Sequence, residues 1–243
     1  MRKDGSRSKF SRTSIKEVSF FMKNQGVFDF SIEWKELLFS HALSRKNRSH
    51  KIAYIAIMTA FTVVANMFFE FKLAETQFSL TLAVSCLTGI VIGPLFGFVA
   101  CFLGDLVGFF YHSGGYAYYP WIGFAMGMSA LIAGFLVNGT KTKGMLGLCI
   151  KLSLTAVLTF LICSVAINTT AFWLLYAKGV DFWTYFISRF FIQGQIYNSL
   201  VNYALLFVFV PLLQKIKPLK LNFYGFAEKK EEEESEETVE ETV

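Results

Sequence analysis

The run FSLTLAVSCLTGIVIGPLFGFVACFLGDLVGFFY, residues 78–111, decides how this chain is read. A helix needs about 20 mainly apolar residues to cross the hydrocarbon of a bilayer, and this run is too long for one such pass. Near its middle stands Gly93-Pro94, where proline removes a backbone donor and disfavours helix in the residue before it. Two membrane helices joined by a tight turn follow. Outward from this pair, further apolar runs span Ile52 to Phe69, about Tyr119 to Asn138, Met145 to Tyr176 and Phe182 to Leu213. The expected fold is an all-α membrane protein with six transmembrane helices in a compact bundle.

Composition agrees. Of 243 residues 54% are hydrophobic and only 17% charged, with a mean hydropathy of +0.47, where a soluble domain carries about a quarter charged residues. The net charge of +5 hides an asymmetry, because the tail Glu228 to Val243 holds nine Glu against two Lys, which leaves +12 on the rest. With so little polar sequence outside the apolar runs, that excess reads as a topology signal and as contact with lipid headgroups rather than nucleic-acid binding. Arg45, Lys46, Arg48 and Lys51 precede the first helix, Lys141 and Lys143 separate the fourth from the fifth, and Lys215, Lys217 and Lys220 follow the sixth. The opposite loops, Glu70 to Gln77, His112 to Pro120 and Ala177 to Asp181, hold only Lys72 and Lys178. Positive-inside logic places both termini in the cytoplasm and these three loops outside.

The expected organisation is a leader over residues 1–48, a transmembrane substrate-binding domain over 49–217 and a disordered acidic tail over 218–243. The leader lacks the pattern of a cleavable signal peptide, and its Ile32, Trp34, Leu37, Leu38 and Ala42 are spaced to line one side of an interfacial helix. Cys86, Cys101, Cys149 and Cys163 show no CxxC or Cys/His spacing and read as core residues, which supports neither a disulfide framework nor a metal site. No phosphate loop is present, so the chain does not hydrolyse nucleotide unaided, and no HExxH, GxSxG or Cys/His arrangement accompanies His41, His50 and His112. An enzyme is not expected.

Four features carry information. Ala56 and Ala60 stand one turn apart on the first helix, and with Ala53 they form a flat strip that suits either packing within the bundle or docking of another helix. Asp105 is a carboxylate in an apolar run, read as a polar pin to a neighbouring helix, whereas Lys151 is placed to snorkel to the headgroups. The loop from Tyr111 to Trp121 sets five aromatic rings, Tyr116, Tyr119 and Trp121 among them, around Gly114-Gly115; an interfacial belt and a lid that stacks on a flat heterocycle both fit. The sixth helix carries Arg189, Gln193, Gln195, Asn198 and Asn202. At 100° per residue Arg189, Gln193 and Tyr197 share one side and Asn198 and Asn202 another, and an intramembrane arginine calls for an anionic partner. Asn168-Thr169-Thr170 and Trp173 on the fifth helix are placed to complete a pocket, with interhelical hydrogen bonding the alternative for the threonines.

In order, Trp34-Lys35-Glu36-Leu37, Ala56xxxAla60, Gly93-Pro94-Leu95-Phe96-Gly97, Gly104-Asp105-Leu106, Asn168-Thr169 and Arg189 resemble the substrate-binding S components of energy-coupling factor (ECF) transporters, in particular the folate-type subfamily, over about Ser31 to Leu213. The resemblance implies a vitamin-binding membrane protein, with folate or a related compound held near the outer face by the loops and the last three helices. It also implies that the protein docks through Ala56 and Ala60 on a T component driven by two ABC ATPases. No cofactor of its own is implied; ATP is used by the partners. The candidate ligand residues are Tyr116, Tyr119, Trp121, Asn168, Trp173, Arg189, Gln193 and Asn198. Competing readings are an S component for a different heteroaromatic vitamin, a self-sufficient permease and an intramembrane enzyme.

Overall fold

The computed structural model describes residues 38–215 apart from 45, 69, 74–75, 112–116 and 140–143. The expected acidic tail and most of the expected leader helix therefore lie outside the described residues, and so does Tyr116. What is described is a helical bundle with one small hairpin. Helix α1 (Arg48–Phe68) leads into β1 (Glu70–Leu73) and β2 (Thr76–Ser79), then α2 (Thr81–Ile92), α3 (Pro94–Tyr111) and α4 (Pro120–Gly139). A continuous long helix follows, made of α5 (Gly144–Thr159), a π-helical stretch Phe160–Thr169 and α6 (Thr170–Tyr176). Last come α7 (Phe182–Ile187), a π-helical turn Ser188–Ile192 and α8 (Gln195–Gln214). Among the described residues five helices are long and apolar enough to cross a membrane: α1, α3, α4, the continuous helix Met145–Tyr176 and α8.

Two expectations need correction. The first apolar segment of the deciding run becomes α2, which has only 12 residues and is thus about 18 Å long. Ten of those residues are buried, so α2 is sheathed by protein, and the length rule that governs lipid-exposed helices does not bind it. The loop expected after α1 is a hairpin, with Glu70 opposite Ser79 and Leu73 opposite Thr76. Four-residue strands fall below the length at which alternation is legible in sequence.

The turn at Gly93-Pro94 forms as expected. Gly93 has φ of 119°, a region that side chains avoid, and any Cβ there would run into the backbone of Phe39 and Ser40. Ser40 uses that space: its amide donates to the Ile92 carbonyl at 2.9 Å and its hydroxyl to the Val91 carbonyl at 2.6 Å, satisfying two carbonyls that the end of α2 leaves open. Phe39 stacks on Phe96 at 4.6 Å. Further along α2, Gly89 lies directly against the Ala130 carbonyl of α4. With no side chain between them the two backbones meet, and Ile90, Val137, Leu152 and Leu206 fill the core beside this contact.

Helix α1 packs only one face inward. Thr62 and Asn66 fit over Gly104 and Gly108 of α3, and the Asn66 amide donates to Asp105 Oδ1 at 2.8 Å. Asp105 thus ties α1 to α3. The other face is open: Ala53, Ala56, Ile57, Ala60, Phe61 and Val64 are all exposed. Lys151 departs from its expected snorkelling. It is 3% exposed and its Nζ donates to the Val137 carbonyl at 3.3 Å, because α5 packs that side of the chain against α4.

Candidate functional site

The Ser79–Asn198 hydrogen bond sets β2 beside the start of α8, and the ring contacts of Tyr119 with Phe172 and Tyr176 set the start of α4 beside α6. Three of the candidate ligand residues, Tyr119, Trp121 and Arg189, meet around Phe172 on α6, which is not among the candidates. The Tyr119 ring lies 5.8 Å from Phe172 and 4.9 Å from Trp121. Trp121 meets Phe172 edge-on at 5.7 Å, and Tyr176 closes the group 5.8 Å from Tyr119. Across Phe172 the guanidinium of Arg189 sits 4.6 Å above the ring, a cation–π arrangement, and its Nη1 donates to the Tyr185 hydroxyl at 3.4 Å. Asn168 lies one turn before Phe172 on the same long helix.

Three polar atoms in this group are buried without a hydrogen-bond partner: Trp121 Nε1, Asn168 Oδ1 and Arg189 Nε. Buried donors and acceptors are nearly always paired, since leaving one unmade costs about 1–3 kcal/mol. The three belong to three helices: Trp121 and Arg189 meet at the Phe172 ring, and Asn168 precedes Phe172 by four residues on its own helix.

The helices around the site are locally widened. From Phe160 to Thr169 the backbone is π-helical, a form that recurs at functional sites. Thr169 Oγ1 donates to the Ser164 carbonyl at 2.7 Å and Thr170 Oγ1 to Val165 at 3.3 Å, each five residues back. The threonines therefore bond within their own helix instead of across to a neighbour. A second π turn, Ser188–Ile192, is followed by Gly194, which has φ of 73° and opens α8. This break interrupts the regular 100° step on which the face shared by Arg189, Gln193 and Tyr197 depended. Gln193 and Tyr197 are exposed, while Arg189 turns onto Phe172.

The remaining candidates are engaged elsewhere. Trp173 donates its indole N–H to the Val180 carbonyl at 2.8 Å and packs on Phe182, which staples the 177–181 turn. Asn198 Oδ1 accepts from the Ser79 amide at 3.1 Å. Its neighbour one turn on, Asn202, donates to the Ser79 carbonyl at 2.6 Å and accepts from the Ala83 amide at 2.9 Å. Together these asparagines clamp β2 and the start of α2 to α8.

Residues 46–218 match the family described as ECF-type riboflavin transporter, S component. The chain belongs to this family. It is accordingly an integral membrane protein of a transporter class. None of the curated proteins compared with it matches. Among solved structures, the fold is similar to that of FolT bound with folic acid, with a TM-score of 0.52 and 16% identity over 67% of this chain and 89% of FolT. A bacterial ECF transporter S component aligns at 20% identity over 70% of this chain and 99% of its own, with a TM-score of 0.49. At such identities the FolT likeness speaks for the shared fold alone.

Proposed function

We propose that this chain is the substrate-binding subunit of an ECF importer, capturing folate or a related heteroaromatic vitamin at the outer face and releasing it inward while docked on a T component powered by ATPase subunits. The observation that carries the reading is the meeting of two unpartnered buried donors, Trp121 Nε1 and Arg189 Nε, at the Phe172 ring, with the unpartnered Asn168 Oδ1 on the same helix as that ring. Aromatic faces at Tyr119, Trp121 and Phe172 suit a flat ring, and the orphan donors and acceptor suit its polar edge. In this reading Trp121, Asn168 and Arg189 contact ligand, Tyr119 and Tyr116 stack or cover it, and Trp173, Gln193 and Asn198 shape the surroundings. Asp105 holds the bundle and performs no chemistry. The subunit catalyses no reaction of its own.

The topology proposed with it has six crossings, α2 being the short, protein-sheathed one, and both termini cytoplasmic. The exposed strip Ala53, Ala56 and Ala60 then serves as the docking face, since small residues let a partner helix approach closely. Folate is one reading of the ligand; riboflavin is the second, favoured by the description of the family that residues 46–218 match.

Calorimetric titration of the purified chain in detergent with folate and with riboflavin tests the ligand. Uptake into liposomes tests the division of labour: transport that needs the T component and ATPases supports the proposal, and accumulation by this chain alone refutes it. Ala56→Leu or Ala60→Leu is expected to abolish co-purification of the T component with vitamin affinity nearly intact.

A further inference from the structure

Beside the ring cluster a polar pair stands half made. Asp105 of α3 is 7% exposed and uses its two oxygens differently. Oδ1 accepts from the Asn66 amide at 2.8 Å. Thr62 and Asn66 seat over Gly104 and Gly108, one before and one after Asp105 on α3, so the carboxyl is fixed between two closely packed helices. Oδ2 lies against α4, where a Cβ on Gly123 would be 2.8 Å from it and 2.9 Å from the Tyr118 hydroxyl. The two oxygens therefore face each other across a residue that has no side chain. Among the described residues that hydroxyl is buried and has no hydrogen-bond partner. The Tyr118 ring rests on Phe109, one turn beyond Asp105 on α3, with centroids 5.1 Å apart.

Tyr118 directly precedes Tyr119 and stands three residues before Trp121, the two rings that meet at 4.9 Å in the candidate site. Trp121 Nε1 is itself buried and unpaired. Four consecutive residues thus carry two unmade bonds, one on each side of Tyr119. Buried polar groups are nearly always paired, so two orphans on so short a segment point to contacts that are completed in another state. We propose that Asp105 is a positioning residue for the captured vitamin: when a ligand ring packs against Tyr119 and Trp121, the segment Tyr118–Trp121 settles toward α3 and the Tyr118 hydroxyl donates to Asp105 Oδ2. The carboxyl is the fixed partner and Tyr118 the moving one, because Asn66 holds Oδ1 and the glycines let α1 and α3 pack without slack. A bond absent from the free chain and present in the complex adds its free energy to affinity and nothing to the stability of the free chain. This inference rests on the carrier reading above and deepens it, giving a buried carboxyl that touches no ligand a share in how tightly the ligand is held.

The test is Tyr118→Phe in the full-length chain in neutral detergent, which deletes the hydroxyl and keeps the ring on Phe109. Folate and riboflavin are the probes, titrated by calorimetry, and the Tm of the free chain is measured alongside. At least one probe is expected to bind the unmodified chain and to lose about 5- to 30-fold in Tyr118→Phe, the range of one hydrogen bond less the ordering of the segment. The Tm of the free chain is expected to change little. Asp105→Asn keeps an oxygen for Asn66 and offers Tyr118 only a neutral amide, so Tyr118→Phe added to it is expected to cost a smaller fold-change than it costs alone. Full affinity in a monodisperse Tyr118→Phe chain removes the positioning role and leaves the carrier reading standing. A lowered Tm of the free chain, whatever the affinity, makes the pair structural and does the same. Equal losses from Tyr118→Phe in both backgrounds separate the hydroxyl from Asp105 and also overturn the proposal. Binding of neither probe by the unmodified chain overturns both readings.

Discussion

The contact of α2 with α4 and the cluster around Phe172 are both built where helices meet inside an apolar bundle, yet they are built in opposite ways. At the first, Gly89 brings two backbones together against the Ala130 carbonyl. Polar side chains nearby are mostly spent on neighbouring carbonyls, as when Ser40 caps α2 and Asn138 donates to the Ile90 carbonyl at 3.0 Å; the buried Thr88 hydroxyl is the exception. At the second, π-helical backbone widens the helices, aromatic rings meet edge to face, and three buried polar atoms have no partner. A membrane bundle gains most from close packing and satisfied polar groups. Where it forgoes both in one place, function is the economical explanation.

This contrast can be broken by experiment. Gly89→Ala is expected to have the largest effect, about 3 kcal/mol or more of lost stability with most protein leaving the monodisperse fraction, because the obstacle is backbone and cannot rotate away. Size-exclusion chromatography after graded heating measures it. Asn202→Ala comes next, at about 2 kcal/mol, since it strands the Ser79 carbonyl and the Ala83 amide together; a fall in apparent Tm checks it. Arg189→Gln should reverse the pattern, with ligand affinity reduced and Tm changed little, because loss of the Phe172 and Tyr185 contacts is offset by removal of an orphaned buried nitrogen. Trp121→Phe keeps the ring contact and deletes only the indole N–H. Ligand affinity is expected to fall about 2- to 10-fold without a change in Tm, read by calorimetry. Gly139→Ala, where a Cβ meets nothing within 4 Å, should cost nothing. Equal losses from Gly89→Ala and Arg189→Gln would erase the distinction between the two regions.

Much of the architecture was legible because lipid is an undemanding solvent to read. Long apolar runs, a Gly-Pro interruption and the placement of lysines each report directly on which residues face hydrocarbon or headgroups. The α2–α3 boundary at Gly93-Pro94 is local chemistry and is visible in two residues. Less visible were the short α2, the hairpin and the inward turn of Lys151, because each depends on what packs around it.

The site divided along the same line. Residue type alone pointed to Arg189 and Asn168, polar groups whose place in apolar sequence needs a reason, and to Trp121 as one ring of an aromatic loop. Which neighbours they keep was not available from spacing, because the π turns at Phe160–Thr169 and Ser188–Ile192 and the left-handed Gly194 shift the angular register on which helical reading relies. Thus Phe172 rather than Trp173 meets Tyr119, Trp121 and Arg189, Gln193 is exposed, and Asn198 bonds to Ser79. The sequence by itself determined that this is a multi-pass membrane bundle, because the free energy of moving each segment from water to lipid is nearly additive over residues. Only the tertiary structure decided which polar atoms remain unpaired, because pairing is a property of two groups and of the helix rotation that brings them together.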